Sequence, residues 1–377
     1  MTTTTMPVER TSALAVPLTP RPDQPERWIT HSTPVPFDAA AQSILQAHQE
    51  DGERDDTAVD RLDTWSFGSS DSESMQLLRV PFAGRLDGEL LTLRELAYSQ
   101  LCAKLGIPAA YIRTLPRKLQ EACVNLALVG QNSPALLRIA GDEVRAVVSD
   151  RYAAVDDRLL LEVVADTLDR TGFRDDARVR AVAVGPHTLL RITLPNEAIP
   201  VRVGDVIEHG IDIGNSELGL RSVQVTPVTH RLVCLNGMRA WKSEASLRMR
   251  HIGDPERLRD QLRDAIPVAF AEARGDLDRW KRSVDLLVDS ALEEIEALRS
   301  HGLSTAEVQS VGKTFAETHV QLPERSSAQS LSDALNTRTS AFEIANAITA
   351  AARARDSVPA RLALEEVGHR YLTAATS

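Results

Sequence analysis

Cysteine is scarce in this sequence, and no cysteine pair has the spacing of a metal or redox motif. The three cysteines, Cys102, Cys123 and Cys234, are odd in number and far apart. Structural zinc sites and redox sites are typically built on close pairs such as C-x-x-C. The sequence therefore predicts reduced cysteines that pack as small apolar residues, as is usual in a cytoplasmic protein.

Long apolar runs are also missing. No segment approaches the roughly 18 consecutive apolar residues that a membrane-spanning helix needs. The first residues, MTTTTMPVERTSALAV, have neither the basic start nor the apolar centre of a secretion signal. These absences predict a cytoplasmic protein without a membrane partner.

The sequence contains no familiar catalytic or cofactor-binding motif. It has no G-x-S-x-G, Walker A or G-x-G-x-x-G pattern, and no nucleophile–base or carboxylate pair is recognisable by spacing. His230 and His251 have no third and fourth metal ligand at a suitable spacing. The glycine-rich residues 210–219 lack the phosphate-loop lysine and are interpreted as a lid or turn. The sequence thus offers no positive argument for an enzyme, a cofactor or a metal.

What is present is the composition of a globular protein. The chain has 377 residues, of which 43% are hydrophobic and 25% are charged, so it can bury a substantial core in one large or two ordinary domains. Its net charge of -10 argues against binding nucleic acid over the whole surface, but a local basic site remains compatible with it.

The pattern along the chain predicts three regions. Residues 1–64 are rich in Thr, Ser, Pro and acids, and we expect a disordered or loosely packed arm. Residues 65–253 mix alternating and helical apolar periods, which predicts an α+β domain with a mixed or antiparallel sheet and packed helices. Residues 254–377 carry only helical signals and are predicted to form an all-helical region.

Several local patterns make these predictions specific. Strands are expected at residues 135–140 and 144–148 with a turn at Gly141–Asp142, and a helix at 158–169 with Asp156–Asp157 as its cap. One apolar stripe runs from Leu258 to Leu298 through Pro267, and Ser304 begins a capping box.

Residues 219–251 form a basic stretch inside the acidic chain. Its cations are Arg221, Arg231, Arg239, Lys242, Arg248 and Arg250, and its one acid is Glu244, so six minus one leaves a net charge of +5. Alternating valines and the turn dipeptide Asn236–Gly237 indicate a strand, a tight turn and a basic segment. Such a local reversal of charge concentrates a positive field on one surface.

Two further segments have a functional and a structural interpretation. Arg151 and Tyr152 lie between a strand and a helix, where they would either grip a phosphate and stack on a base, or form a turn in which Arg151 pairs with a nearby Asp. Residues 93–116 have the outline of a helix-turn-helix whose second helix would offer Tyr111 and Arg113 to a duplex, although such corners are also common in ordinary helical packing.

Four segments together resemble a family of prokaryotic phage/plasmid-like proteins, domain of unknown function 932. They are VTPVTHRLVCLNGM at residues 225–238, RMRHIG at 248–253, DRYAAVDDRLLLEVV at 150–164 and the helix-turn around 105–116, and the similarity extends over roughly residues 75–300. The resemblance implies a setting in mobile elements and hence DNA metabolism. By fold-level analogy it points to single-strand annealing proteins, which combine a curved sheet, helices, a basic groove and ring-like oligomers.

These observations lead to the hypothesis of a homo-oligomer that binds single-stranded nucleic acid, DNA in preference to RNA, without catalysis. The alternatives are a module that binds a host or replication protein, a helix-turn-helix duplex binder, and an enzyme whose site the sequence does not reveal. The candidate contacts comprise phosphate-binding cations, two aromatic residues for base stacking and one histidine: Arg151, Tyr152, Arg221, Arg231, Arg239, Trp241, Lys242, Arg248, Arg250 and His251.

Overall fold

The computed structural model describes residues 27–50, 54–59, 61–69, 76–80, 89–184, 187–232, 236–240, 243–321, 327–355 and 357–377. The predicted α+β fold is confirmed, because antiparallel strands and packed helices fill the first two thirds of the chain and helices dominate the last third. Cys102 is buried and Cys123 is half-buried, both as free thiols, while Cys234 lies outside the described residues.

The strands are β1 (Arg27–Pro36), β2 (Arg54–Val59), β3 (Ser66–Ser69), β4 (Gln76–Val80), β5 (Glu89–Leu93), β6 (Ala135–Ala140), β7 (Glu143–Ser149), β8 (Arg178–Val184), β9 (Thr188–Thr193), β10 (Ile199–Arg202), β11 (Asp205–Asn215), β12 (Val223–Arg231), β13 (Asn236–Arg239), β14 (Leu247–Met249), β15 (Leu287–Val288) and β16 (Thr339–Ser340). The α-helices are α1 (Phe37–Glu50), α2 (Glu95–Lys104), α3 (Ala109–Thr114), α4 (Arg117–Leu128), α5 (Asp157–Thr171), α6 (Pro255–Asp285), α7 (Ala291–Ala297), α8 (Thr305–Thr318), α9 (Ala328–Leu335), α10 (Ala341–Arg353) and α11 (Val358–Thr376).

The six-stranded sheet has the order β2-β6-β7-β5-β4-β3 and is antiparallel except where β5 meets β7. The predicted hairpin of β6 and β7 is confirmed, and Gly141 takes the positive φ of 59° that its turn requires. Helices α2 and α4 pack on this sheet through a core that includes Tyr98, Leu101 and Val144. The sheet therefore carries α2 to the position where its last turn borders the site described below.

The eight-stranded sheet has the order β1-β8-β9-β11-β12-β13, with β10 added to β11 and β14 added to β12. Successive side chains of a strand point to opposite faces. Leu190 and Ile192 therefore join the core formed with α5 and α6, whereas Arg191 between them points to the other face. Ile211 and Asp212 divide in the same way on the neighbouring strand. One face is thus apolar, and the other carries buried charged groups.

The C-terminal helices pack against this sheet rather than standing apart from it. Their core combines Trp280, Phe342 and Leu364 with Ile207 and Met238 of the sheet. Helix α6, which follows residue 253 directly, also contributes to the core beneath β11 and β12. The expected helical region therefore shares its cores with the α+β part of the chain.

The predicted single stripe from Leu258 to Leu298 is divided into two helices. Helix α6 continues through Pro267 and ends at Asp285, and α7 begins after Ser290, whose side chain accepts a hydrogen bond from Glu293 N. The predicted capping box at Ser304 is confirmed, with Glu307 as its partner.

Part of the predicted N-terminal arm is integrated into the fold. Strand β1 pairs with β8, and α1 buries Phe37, Ala40 and Ile44 in the core shared with α5 and α6. These three residues follow the helical spacing of three and four, which the many acids of residues 46–63 mask in the composition. The structure therefore differs here from the expectation of a loosely packed segment over residues 1–64.

Two glycine-based interpretations are corrected by the structure. Much of the segment interpreted as a lid, residues 210–219, lies in β11, a central strand. The predicted turn at Asn236–Gly237 is wrong, because both residues belong to β13 and pair with β12. Gly237 is needed there for space, since a Cβ atom would lie 1.6 Å from Nη1 of Arg191. Close packing, and not turn geometry, explains this glycine.

Candidate nucleic-acid interface

A cleft of about 790 Å³ lies over the charged face of the eight-stranded sheet. Gln224 and Arg239 of the sheet contribute to its lining, as do the end of β7 with the loop that follows it, residues 219–222, and the residues flanking β14. The last turn of α2 and one side of α11 complete the walls. Gln100 joins three of these parts, because its amide donates to Leu218 O at 2.8 Å and accepts from Val147 N at 2.8 Å.

The charged groups that line the cleft are almost all positive. They comprise one acid, Glu366, and six cations: Lys104, Arg151, Arg221, Arg239, Arg248 and Arg250. Six minus one gives +5 in a chain whose net charge is -10. Clefts lined by charge of one sign focus the electric field and attract ligands of the opposite sign.

Four of these cations are exposed and available to a ligand. Lys104, Arg151, Arg248 and Arg250 are exposed, and in the described part of the chain no carboxylate lies within ion-pairing distance of them. Arg248 makes one weak contact, from Nε to Ser222 Oγ at 3.4 Å. The alternative interpretation of Arg151 as the partner of a nearby Asp therefore finds no ion pair among the described residues.

Arg239 and Arg231 have different positions from those expected of phosphate contacts. Arg239 lines the cleft but is buried and paired with Asp212 at 2.7 Å and with Glu366 at 3.2 Å, so its charge is compensated. Arg231 lies outside the cleft, where it pairs with Asp205 and places its guanidinium 5.3 Å from the centre of the Phe342 ring. Arg239 is thus a structural part of the cleft floor, and Arg231 belongs to the packing of β12 against the C-terminal helices.

Tyr152 and His251 form a stacked pair at the cleft wall. Their ring centres are 4.9 Å apart and nearly parallel, and Tyr152 Oη donates to Ser216 O at 3.0 Å. Burial lowers the pKa of His251, which makes it a neutral ring near pH 7 and not a cation for phosphate. Burial also raises the pKa of Tyr152, which keeps its hydroxyl protonated. The pair therefore offers a fixed aromatic edge, while Trp241 and Lys242 lie outside the described residues.

A buried charged network supports the loop that forms one wall. Arg138 and Arg145 come from the six-stranded sheet and bind Glu217, through its carbonyl oxygen at 3.0 Å and its carboxylate at 2.8 Å, respectively. Asp156 holds the N-cap position of α5, as predicted, but its carboxylate binds Arg138 and not the helix N–H groups. The network fixes residue 217 directly before the cleft-lining residues 219–222.

The residues that sequence reasoning missed come from distant parts of the chain. Lys104 and Glu366 reach the cleft only through the packing of α2 and α11. A usable signal existed for the supporting network, because Arg138 interrupts the apolar strand ALLRIA and buried arginines require charged partners.

Comparison with known proteins supplies a family. The sequence model of the family described as Domain of unknown function (DUF932) matches residues 144–361, more than half of the chain. The chain is therefore a member of that family. No curated protein and no solved structure matches it significantly. Among the residues that the structure describes, no helix has the length and apolar character needed to cross a bilayer.

Proposed function

We propose that this protein binds single-stranded nucleic acid, with DNA favoured, in the cleft between α2 and α11. The observation that carries the proposal is a set of four exposed cations that have no carboxylate partner in the described structure. Arg221 lines the same cleft. Phosphate neutralisation by such groups supplies most of the affinity for single strands, and aromatic rings add stacking. The proposal includes assembly into oligomers and a role in mobile-element DNA metabolism, which the family resemblance suggests.

The shape of the site favours a single strand over a duplex. Sequence-specific duplex binders usually insert a projecting helix or ribbon into a groove, whereas single strands lie in concave channels. The helix-turn-helix alternative rests on α3, which has six residues, and its Arg113 is bound to Glu95 at 2.6 Å. A concave site with free cations is therefore the better candidate for the nucleic-acid contact.

A titration of fluorescent single-stranded DNA at several salt concentrations tests the proposal. For single strands, each phosphate contact contributes about -0.7 to the slope of log affinity against log salt concentration. Five contacts therefore predict a slope of about -3.5. The variant Arg151→Glu/Arg248→Glu/Arg250→Glu removes three of them, so its slope should fall to about -1.4 and its affinity by at least about 100-fold.

The matched control reverses three exposed cations of α6 that do not line the cleft, Arg257→Glu/Lys281→Glu/Arg282→Glu. This variant has the same net charge as the cleft variant and should bind nearly as well as the wild type. Equal binding by the folded cleft variant and the wild type would overturn the proposal. Binding of a mononucleotide as tightly as an oligonucleotide would replace it with a nucleotide-binding function.

The proposed assembly into oligomers has one candidate contact surface. Tyr111, Leu119, Leu126 and Val129 of α3 and the α4 region are 51–76% exposed, and Leu119 and Leu126 are two helical turns apart on α4. Neighbouring exposed apolar groups of this kind often mark contact surfaces. If they join copies of this chain, Leu119→Lys/Leu126→Lys should convert an oligomer into a folded monomer in light scattering. A wild type that is monomeric at high concentration would exclude that role.

A further inference from the structure

Three side chains with metal-binding chemistry meet beneath the cleft wall. His48 lies near the end of α1, Asp157 begins α5, and Glu217 follows β11. Their nitrogen and carboxylate oxygen atoms all lie within 4.8 Å of one another. Asp157 and Glu217 are buried, and the His48 side chain is 12% exposed. The group therefore combines one imidazole and two carboxylates in a protected position.

The distances within this group are longer than ordinary hydrogen bonds. Nε2 of His48 is 3.5 Å from Asp157 Oδ2, and its Nδ1 is 3.5 Å from Glu217 Oε1. Hydrogen bonds between such atoms are normally about 2.7–3.2 Å long. One ion can take only one of the two ring nitrogens. Two ligands of a tetrahedral zinc ion at about 2.1 Å each are about 3.4 Å apart, which Nε2 and Asp157 Oδ2 nearly match, and Glu217 lies within the 4.8 Å span of the group.

The carboxylates are held by outer partners, as metal-binding carboxylates usually are. Asp157 accepts from Thr188 Oγ1 at 2.6 Å and from Asn215 Nδ2 at 2.8 Å. Glu217 accepts from Arg145 Nη1 at 2.8 Å. Glu217 Oε1 also accepts from Asp157 N at 3.0 Å, so these bonds fix both carboxylates.

The network around this group is rich in carboxylates. Four carboxylates, Asp56, Asp156, Asp157 and Glu217, are connected through the guanidinium groups of Arg138 and Arg145 and the ring of His48. When the imidazole is neutral, four carboxylates face two guanidinium groups, and a bound cation would offset the difference. Separately, the amide of Asn215 is 1% exposed, and its Oδ1 has no hydrogen-bond partner among the described residues. The same amide donates through Nδ2 to Asp157, so this oxygen belongs to the shell around the site.

We propose that His48, Asp157 and Glu217 bind one divalent transition-metal ion of the zinc or manganese type. Imidazole nitrogen favours these ions over Mg²⁺ and Ca²⁺, which prefer oxygen ligands alone. The ion joins α1 to α5 and to the loop before the cleft-lining residues 219–222. It therefore holds the N-terminal helix and the cleft wall in one arrangement, and this role does not depend on which ligand the cleft binds.

The test is calorimetric titration of chelator-treated full-length protein with Zn²⁺, Mn²⁺ and Mg²⁺. We expect one equivalent of Zn²⁺ or Mn²⁺ to bind and to raise the thermal midpoint, with much weaker binding of Mg²⁺. His48→Gln should weaken metal binding by about 100-fold or more, since even outer-shell changes cost about 10–100-fold. Bound Co²⁺ should show the visible absorption of a low-coordinate site in the wild type alone.

His369→Gln is the matched control, because His369 is 13% exposed and, among the described residues, contacts one carboxylate, Asp276, at 3.2 Å. It should retain metal binding. Asp157→Asn provides a second disruption that keeps the shape of the side chain, so a folding defect in one variant does not decide the outcome. Lack of binding at millimolar metal by folded wild type, or unchanged binding in both His48→Gln and Asp157→Asn, would refute the site.

Discussion

Arg191→Leu is expected to destabilise the protein by about 3–5 kcal/mol, because it breaks a buried ion pair and leaves a charge without its partner. Arg191 is fully buried between Asp212 of the sheet, at 2.8 Å, and Glu365 of α11. Arg239 and Arg361 complete the group together with Glu366, so three cations face three carboxylates. Removing one cation leaves one carboxylate uncompensated. Since α11 is a wall of the cleft, the same change should also weaken ligand binding.

The double variant Arg191→Leu/Asp212→Leu separates charge imbalance from lost packing. It removes one charge of each sign and leaves Arg239 beside Glu366 at 3.2 Å and Arg361 beside Glu365 at 3.3 Å. Replacing a whole buried pair by apolar groups is often nearly neutral, so we expect the double variant to be more stable than the single one. Urea unfolding at pH 7 measures both. A loss below about 1 kcal/mol in Arg191→Leu would contradict the ion-pair explanation.

The pH dependence gives an independent check on the same group. Burial alone would raise the pKa of Asp212, but Arg191 and Arg239 outweigh it and hold this pKa below its usual value. A depressed pKa contributes stability above the ordinary value of about 3.9 and loses it as the pH falls through the folded value. In Arg191→Leu, protonation of the uncompensated carboxylate stabilises the folded state instead. The stability gap between wild type and variant should therefore be smaller at pH 5 than at pH 7.

The sequence predicted the fold class because the decisive signals are local. The hairpin of β6 and β7 shows apolar residues and a Gly–Asp turn within fifteen positions, and α5 shows helical spacing after an acidic cap. Strand β11 was harder to recognise, because Gly210, Asp212 and Gly214 interrupt its apolar residues. The neighbouring strand β9 explains two of these residues. Asp212 forms an ion pair with Arg191 of β9, and Gly210 leaves space for the main chain of β9. No local rule contains that information.

The cleft was predictable only where charged residues are close in sequence or joined by a short ladder. Arg248 pairs across from Gln224, and the bridge between Tyr152 and Ile252 brings Arg151 to the same surface. Arg231 is in the same basic stretch, but its guanidinium forms an ion pair with Asp205. The preference for charge clustering therefore predicted a region, whereas the pairing of strands decides which cations remain available.

The group of His48, Asp157 and Glu217 shows the same limit more strongly. Its members are separated by 109 and 60 positions, from 157 minus 48 and 217 minus 157, so no ligand spacing reveals them. A search for metal motifs examines residues within one or two turns of each other. Here three separate elements each supply one ligand atom, and only their packing brings the three together.

Gly210→Ala is expected to cost about 3 kcal/mol or more, since the new methyl group meets main chain that cannot rotate away. A Cβ atom at residue 210 would lie 1.9 Å from the carbonyl oxygen of Ile192 and 2.8 Å from Cα of Thr193. Strand β11 is hydrogen-bonded to β9 on one side and to β12 on the other. To avoid this clash, β9 would have to move away from β11, which would break the hydrogen-bonded ladder that positions Arg191 opposite Asp212.

Gly275→Ala is the matched control, because the same methyl group in helix α6 meets no atom within 4 Å. Alanine is a better helix former than glycine, so this variant should gain about 0.5–1 kcal/mol, the opposite sign from Gly210→Ala. Urea unfolding of the two variants compares identical chemistry in a crowded strand and an open helix. Equal stability changes would show that main-chain crowding at residue 210 does not govern the choice of glycine. Opposite signs would support main-chain crowding between β9 and β11 as the reason for glycine at residue 210.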